Sequence, residues 1–189
     1  VRDLWPESAI DTGVLKNKLI IKLAFIFEKY MYKKSKIINV LTPAFRSKLI
    51  EKGVSKEKII FIPNAADFTL AKKVQSKNFN ALEFKKKIGL QGKFVITYVG
   101  AHGVANHLIQ LIDAASILKN SSIVFQLIGS GMQKKMLKDE VKRRNISNVI
   151  FRDPVPKAEI FKYILASDMG ASVLKKVDTF KTIYSNKTF

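Results

Sequence analysis

Short apolar runs rich in β-branched residues alternate with segments of helical spacing along the second half of this 189-residue chain. The apolar runs predict strands at 94–99, 123–128, 149–151 and 169–174. The segments between them predict helices at 108–118, 132–144 and 158–166. Because strict alternation of strand and helix is typical of parallel strands joined by crossovers, this pattern predicts a doubly wound α/β domain.

The first half repeats this order on a smaller scale. A β-branched run at 37–41 is followed by a helix from Pro43 to Lys52, which Gly53 ends, and by a second run at 59–62. A polar, lysine-rich stretch then interrupts the pattern. We therefore expect an α/β chain with two Rossmann-like units and parallel sheets, divided into residues 1–67, a linker with a short helix at 68–91, and residues 92–189.

The two ends of the sequence suggest that the natural protein is longer than this chain. The chain begins with Val1 rather than Met, and it stops at Phe189 within a segment that predicts a loop. The polar, proline-containing stretch at 1–8 predicts a loop that leaves a strand. We expect the natural protein to extend at both ends, both units to be incomplete, and the chain alone to be inactive.

The segment 14–36 predicts an apolar helix with one charged stripe. At about 100° per residue, five lysines fall on one narrow side of this helix: Lys18, Lys22, Lys29, Lys33 and Lys36. A membrane-spanning helix is disfavoured, because Lys22 and Glu28 interrupt an apolar run shorter than the roughly 20 residues required. Two interpretations remain: a helix packed between a sheet and its neighbours, or a helix lying on an anionic membrane.

The chain is strongly basic, with a formal net charge of +19 from 34 Lys and Arg against 15 Asp and Glu. Such a field attracts nucleic acid, anionic lipid or phosphorylated ligands. No zinc-finger spacing, aromatic RNA-binding pattern or Gly-rich basic repeat is present, so nucleic acid is not expected as a partner. The absence of cysteine excludes disulfides and favours a reducing compartment, for which the cytoplasm is the simplest choice.

Glycine and polar residues follow the predicted strands of the second half. Ligands of open parallel sheets bind beyond the carboxyl ends of the strands, where backbone N–H groups can hold a diphosphate. Glycines often serve only a tight strand-to-helix turn, and that alternative stays open for each pair. The candidate residues at this edge are Gly100, His102 and Gly103 after the first strand, Gly129 and Gly131 after the second, and Arg152, Pro154 and Val155 after the third.

The sequence lacks the motifs of several other protein classes. No G-x-G-x-x-G follows the first strand, no Walker lysine follows a glycine loop, and no nucleophile elbow can be found. No His or carboxylate pair has metal-ligand spacing. These observations argue against nicotinamide, P-loop and hydrolase functions, and we expect neither a cofactor nor a metal.

Six stretches in this order resemble the group 1 glycosyltransferases, family 4 of the two-Rossmann-domain GT-B architecture. The resemblance covers nearly the whole chain and is closest to transferases of O-antigen, capsule and exopolysaccharide assembly, including acetamido-fucosamine transferases. The stretches are VRDLWPES from Val1, TPAFRSKLIEKGVSKEKIIFIPNAAD from Thr42, YVGAHG from Tyr98, LIGSG from Leu127, NVIFRDPVPKAEIFKYILASD from Asn148 and YSNKTF from Tyr184.

The resemblance implies transfer, with retention, of a hexose or acetamido sugar from a UDP-linked donor to a lipid-linked saccharide at the cytoplasmic membrane face. It implies that Gly100–Gly103 approach the donor diphosphate, that Gly129 and Gly131 line the nucleotide side, and that Arg152–Val155 frame the base. It also places Asn186, Lys187 and Thr188 at the phosphates, where Lys187 could neutralise the departing diphosphate.

The sequence also departs from the family pattern. Ala101, His102 and Asn106 stand where many members carry an arginine and a lysine, and Thr182 lies near the first acidic residue of the family's glutamate pair. Asp3 lies near the acceptor-side catalytic region, although a cap or turn beside Trp5 is an equal alternative. A function of another class also remains open, namely a non-catalytic basic module that binds an anionic membrane or nucleic acid.

Overall fold

A computed structural model describes residues 1–183, which form two compact units. Among these residues, the first unit contains Val1–Ala66 and 175–183, and the second contains Asp67–Leu174. Each unit has its own parallel sheet and its own hydrophobic core.

The first unit is built on two parallel strands, β1 and β2, with Ile38 opposite Ile59. Asn17 starts the long helix α2, since its side chain accepts hydrogen bonds from the amides of Leu19 and Ile20. Thr42 caps α3 in the same way. The elements are α1 (Glu7–Asp11), α2 (Lys18–Lys34), β1 (Ile38–Val40), α3 (Pro43–Glu51) and β2 (Ile59–Phe61), with short 3-10 helices at Lys56–Lys58 and Asp178–Phe180.

The second unit is a four-stranded parallel sheet in the order β5-β4-β3-β6, with helices on both faces. Tyr98 and Leu127 pack with α6 and α7 on one face, and Val95 and Val124 pack beside Leu90 on the other. The elements are α4 (Thr69–Gln75), α5 (Ala81–Lys87), β3 (Phe94–Val99), α6 (Ile109–Ile117), β4 (Ile123–Ile128), α7 (Lys134–Arg143), β5 (Val149–Arg152), α8 (Lys157–Leu165) and β6 (Met169–Gly170).

The structure differs from the predicted organisation in two places. The predicted linker 68–91 holds two helices, α4 and α5, which pack with α8 inside the second unit. The Phe84 ring stands edge-on to Tyr163 at 5.0 Å between ring centroids, an aromatic contact that a solvated linker would lack. Residues 175–183 group with the first unit, where Phe180 is buried and Thr179 donates to the Asp11 carboxylate.

Some element boundaries also differ from the prediction. The stretch 1–8, predicted as a loop, already contains the beginning of α1. The predicted strand 169–174 is regular only at β6, although the Ala171 amide still bonds to the carbonyl of Thr97. The predicted helix 14–36 is regular from Lys18 to Lys34, because the Asn17 cap fixes its start.

Candidate functional site

Two glycine turns meet at the carboxyl ends of β3 and β4. The amide of Gly100 donates to the carbonyl of Ile128 at 3.0 Å, and the amide of His102 donates to the carbonyl of Ser130 at 2.8 Å. The carbonyl of His102 in turn accepts from the amide of Gln133 at 3.0 Å, just before α7. The prediction that both turns lie at one sheet edge is therefore confirmed, and they interlock through their backbones.

The interlock explains why glycine occupies two of these positions. Gly129 has φ of 147°, and a Cβ there would overlap the carbonyl of Gly100. Gly131 has φ of 154°, and a Cβ there would lie 2.5 Å from the carbonyl oxygen of His102. Gly103 differs, since the nearest atom to its Cβ would be Asn106 Nδ2 at an ordinary 3.7 Å. Gly129 and Gly131 thus serve close backbone packing.

A pocket of about 410 Å³ opens beside the interlocked turns. Such a volume lies within the range of small-ligand sites. Four of the predicted residues line it, namely Gly100, Gly129, Pro154 and Val155. Ala101 falls within the predicted Gly100–Gly103 turn, and the lining residues that the sequence reasoning missed are Val99, Ile128, Ser130, Lys157 and Ile160.

Lys157 is the cationic side chain of this pocket. It is the first residue of α8, where the helix dipole already favours an anion. Its position directly after the Asp153–Pro156 loop is the signal that could have identified it. With the main-chain atoms of the two turns nearby, the pocket combines a positive charge with an apolar rim of Pro154 and Ile160.

His102 is placed differently from the prediction. Its side chain is fully buried, and it lies near the rings of Tyr98 and Phe151, each at 6.1 Å between ring centroids. Neither ring nitrogen has a hydrogen-bond partner within the described residues. Burial lowers the pKa of His102 below its ordinary value, and the charges of Lys134 and Lys138 lower it further. The imidazole is therefore held neutral and lies under the turn, outside the set of lining residues.

The side chain of Arg152 is engaged within the unit. Its Nε donates to Gln126 Oε1 at 2.6 Å, its Nη2 donates to the carbonyl of Ile88 at 3.3 Å, and the guanidinium lies 5.5 Å from the centroid of the Tyr163 ring. Gln126 is fully buried and donates onward to the hydroxyl of Thr97. Since these partners occupy the guanidinium, the expectation that Arg152 frames a base receives no support from its side-chain contacts.

Lys134 fixes the loops around the pocket. Its ammonium, on a side chain only 13% exposed, donates to the carbonyls of Gly129 at 2.7 Å and Arg152 at 2.8 Å. The same ammonium pairs with Asp153 Oδ1 at 2.8 Å, and this partner lowers the pKa of the Asp153 carboxyl. The ends of β4 and β5 are thereby joined by one cation.

The remaining predicted residues lie away from this pocket or outside the described residues. Asp3 is exposed in the first unit, and its carbonyl accepts from the amide of Trp5 at 3.1 Å, as the turn alternative requires. Asn186, Lys187 and Thr188 lie outside residues 1–183. Within those residues, no cluster of three His, Cys, Asp or Glu side chains could hold a metal ion.

No protein-family model matches the chain. Among curated proteins, it is 27% identical over 154 residues to one described as a colanic acid biosynthesis glycosyl transferase, WcaI, of Escherichia coli (strain K12). The match covers 80% of this chain and 38% of that protein. The chain thus spans well under half the length of the curated relative that it matches.

Two solved structures share the architecture. Anabaena HepE in complex with UDP superimposes with a TM-score of 0.66 at 18% identity, over 91% of this chain and 45% of that one. WaaG, a glycosyltransferase involved in lipopolysaccharide biosynthesis, gives a TM-score of 0.66 at 16% identity, over 91% of this chain and 48% of that one. Both likenesses confirm the fold class predicted from the sequence.

Proposed function

We propose that this chain, which has the GT-B fold and the sequence relationship of a group 1 glycosyltransferase, binds a nucleotide-sugar donor in the pocket of its second unit. The observation that carries the proposal is the pocket itself. It lies beside two interlocked glycine turns at the carboxyl edge of a parallel sheet, and Lys157 supplies a positive charge. Because HepE was crystallised with UDP, a uridine diphosphate donor is the first to test.

The proposed reaction is sugar transfer in cell-surface polysaccharide assembly. A hydroxyl oxygen of the acceptor bonds to the anomeric carbon, the bond from that carbon to the diphosphate oxygen breaks, and the hydroxyl proton passes to the departing diphosphate. The enzyme must stabilise the negative charge that develops on the departing nucleoside diphosphate. We assign that task in part to Lys157 at the beginning of α8, without a metal or cofactor.

Finer details of the reaction are also proposals. They comprise retention of configuration and a hexosyl or acetamidohexosyl donor. A lipid-linked saccharide is the proposed acceptor. Asn186, Lys187 and Thr188 are proposed to contact the phosphates, and Asp3 to act on the acceptor side.

The test is calorimetric titration of the folded chain with UDP, GDP, ADP and UDP-glucose at moderate salt. We expect saturable binding of one nucleoside diphosphate in preference to the others. Lys157→Gln should weaken that binding about fivefold to tenfold, the loss of one exposed charge contact with a phosphate. Lys162→Gln is the matched control, because it removes the same charge from the same helix outside the pocket. Equal affinity for all nucleotides, or equal effects of both variants, would refute the donor site.

The helix α2 supports a second element of the proposal, which is attachment to an anionic membrane. Only Ala24 and Glu28 of this helix are buried. The five lysines of the predicted stripe are all exposed. A broad sector beside the lysines exposes large apolar side chains, namely Leu19, Ile20, Leu23, Ile26, Phe27, Tyr30 and Met31.

This arrangement suits a helix that lies on a bilayer surface. The apolar sector would enter the headgroup boundary while the lysines at its flank reach anionic phosphates. Within residues 1–183, no helix is both long and apolar enough to cross a membrane. We therefore propose a peripheral position on the cytoplasmic face, where a lipid-linked acceptor would be within reach.

Co-sedimentation with vesicles tests the attachment. Phosphatidylglycerol vesicles should retain the chain, and Leu23→Gln combined with Phe27→Gln should release it. Ile117→Gln, which changes a highly exposed apolar residue of α6, should have no effect. Retention that is unchanged by the α2 substitutions would exclude this surface, and retention without nucleotide selectivity would favour a non-catalytic basic module.

A further inference from the structure

A second cavity lies in the first unit, between α2 and the segment that joins α3 to β2. Its volume is about 550 Å³, larger than that of the pocket beside the glycine turns. Its lining residues are Phe25, Glu28, Lys29, Tyr32, Lys33, Lys52, Gly53, Val54, Ser55 and Lys58. Four lysines and a single carboxylate therefore surround one concave space.

The carboxylate of this cavity shares its cation with a second carboxylate. Glu28 is only 8% exposed and pairs with the ammonium of Lys52 at 2.5 Å, and the same ammonium also pairs with Glu7. The hydroxyl of Tyr32 bonds to Glu28 as well, and burial with this charge raises the pKa of Tyr32 above its ordinary value. Tyr32 consequently stays uncharged, so Glu28, Glu7 and Lys52 together carry one net negative charge against the three other lysines of the cavity.

The three remaining lysines have no carboxylate partner within the described residues. Lys58 Nζ donates to the carbonyl of Lys33 at 3.2 Å, which holds this ammonium at the end of α2. Lys29 and Lys33 form neither a hydrogen bond nor an ion pair through their ammonium groups among residues 1–183. Positive charges around a concave, partly apolar space concentrate the potential there, because low-dielectric walls focus the field.

The cavity also has an apolar side. Val54 is buried and Phe25 is partly exposed, and the ammonium of Lys52 lies 5.8 Å from the centroid of the Phe25 ring. A small inorganic ion would contact only the lysines, whereas an organic phosphate would also cover these carbon atoms. The combination matches a phosphate monoester attached to a small carbon skeleton.

We propose that this cavity is a phosphate-binding site of the first unit that takes an organic phosphate monoester, with Lys29, Lys33 and Lys58 as the anion contacts. The ligand can come from a soluble ester or from a lipid headgroup, since both present the same phosphate. The site is independent of nucleotide binding in the second unit, so its failure would leave the donor proposal untouched.

The test compares two double variants that remove equal charge from the same helix. Lys29→Gln with Lys33→Gln alters the cavity, and Lys18→Gln with Lys22→Gln alters the same stripe outside it. All four lysines are exposed, so both variants should keep the wild-type circular dichroism spectrum. The probes are glycerol 3-phosphate by calorimetry and phosphatidylcholine vesicles with or without phosphatidic acid by co-sedimentation.

The affinity for glycerol 3-phosphate should fall at least tenfold in the cavity variant and less than threefold in the control variant. This result supports a site for soluble esters. The same contrast seen only with phosphatidic acid vesicles supports a lipid headgroup as the source. Equal weakening in both variants would reveal general charge attraction and would overturn the proposal. So would the absence of binding to both probes at low salt.

Discussion

Replacing Gly129 with alanine should destabilise the second unit strongly. Its φ of 147° lies in a region that is essentially limited to glycine, and holding alanine there costs about 1–3 kcal/mol. The added methyl group would also overlap the carbonyl of Gly100, which is backbone and cannot rotate away. Moving that carbonyl weakens the bond between the Gly100 amide and Ile128, worth about 1 kcal/mol.

We therefore expect Gly129→Ala to lower the free energy of unfolding by about 3 kcal/mol. For a domain of this size, that corresponds to a fall in Tm on the order of 10 °C or more. Urea denaturation followed by far-ultraviolet circular dichroism measures the change, and Gly103→Ala is the matched control.

The control tests the reasoning directly. A Cβ on Gly103 meets nothing closer than 3.7 Å, so this variant should stay within about 0.5 kcal/mol of the wild type. If the two variants unfolded within about 1 kcal/mol of each other, the interlock between the turns would not be the reason for glycine at position 129.

Two further predictions concern the groups beneath the pocket. Lys134→Met should cost about 2 kcal/mol in the urea assay, since it leaves the carbonyls of Gly129 and Arg152 without this donor, whereas the exposed Lys135→Met should cost under about 0.5 kcal/mol. His102 has a lowered pKa, so the unfolded chain binds its proton more readily, and stability should fall as pH drops below about 6.5. His102→Leu should remove the loss of stability that His102 causes between pH 7.5 and 5. The variant should stay within about 1.5 kcal/mol of the wild type at pH 7.5. If its stability depended on pH as that of the wild type does, His102 would not be the group responsible.

The strands of the second unit could be predicted because their signal is local. The predicted bounds of the first two strands coincide with β3 (Phe94–Val99) and β4 (Ile123–Ile128), where continuous apolar runs reflect burial on both faces. Helix α4 was missed for the opposite reason. It has no buried residue, and its sequence is polar, so its packing against α8 leaves little pattern in the sequence.

The site shows the same division between local and tertiary information. Glycines after strands indicate where a backbone must turn, so the edge with Gly100 and Gly129 was found. Lys134 was missed because 34 Lys and Arg residues offer no local means of choosing among them, and Lys157 was missed because the prediction ended within the loop that precedes it. The direction of the Arg152 side chain depends on Gln126, a partner 26 residues away in sequence.

The interlocked turns have a consequence for how the specificity of the proposed donor site could be altered. Their main-chain bonds and the ammonium of Lys134 leave the floor of the pocket with little freedom to adapt. The rim is built from side chains, among them Val155, Lys157 and Ile160. A library that alters the specificity of the proposed donor site should therefore vary the rim and keep the glycines, because the shape of the rim can change without rebuilding the sheet edge.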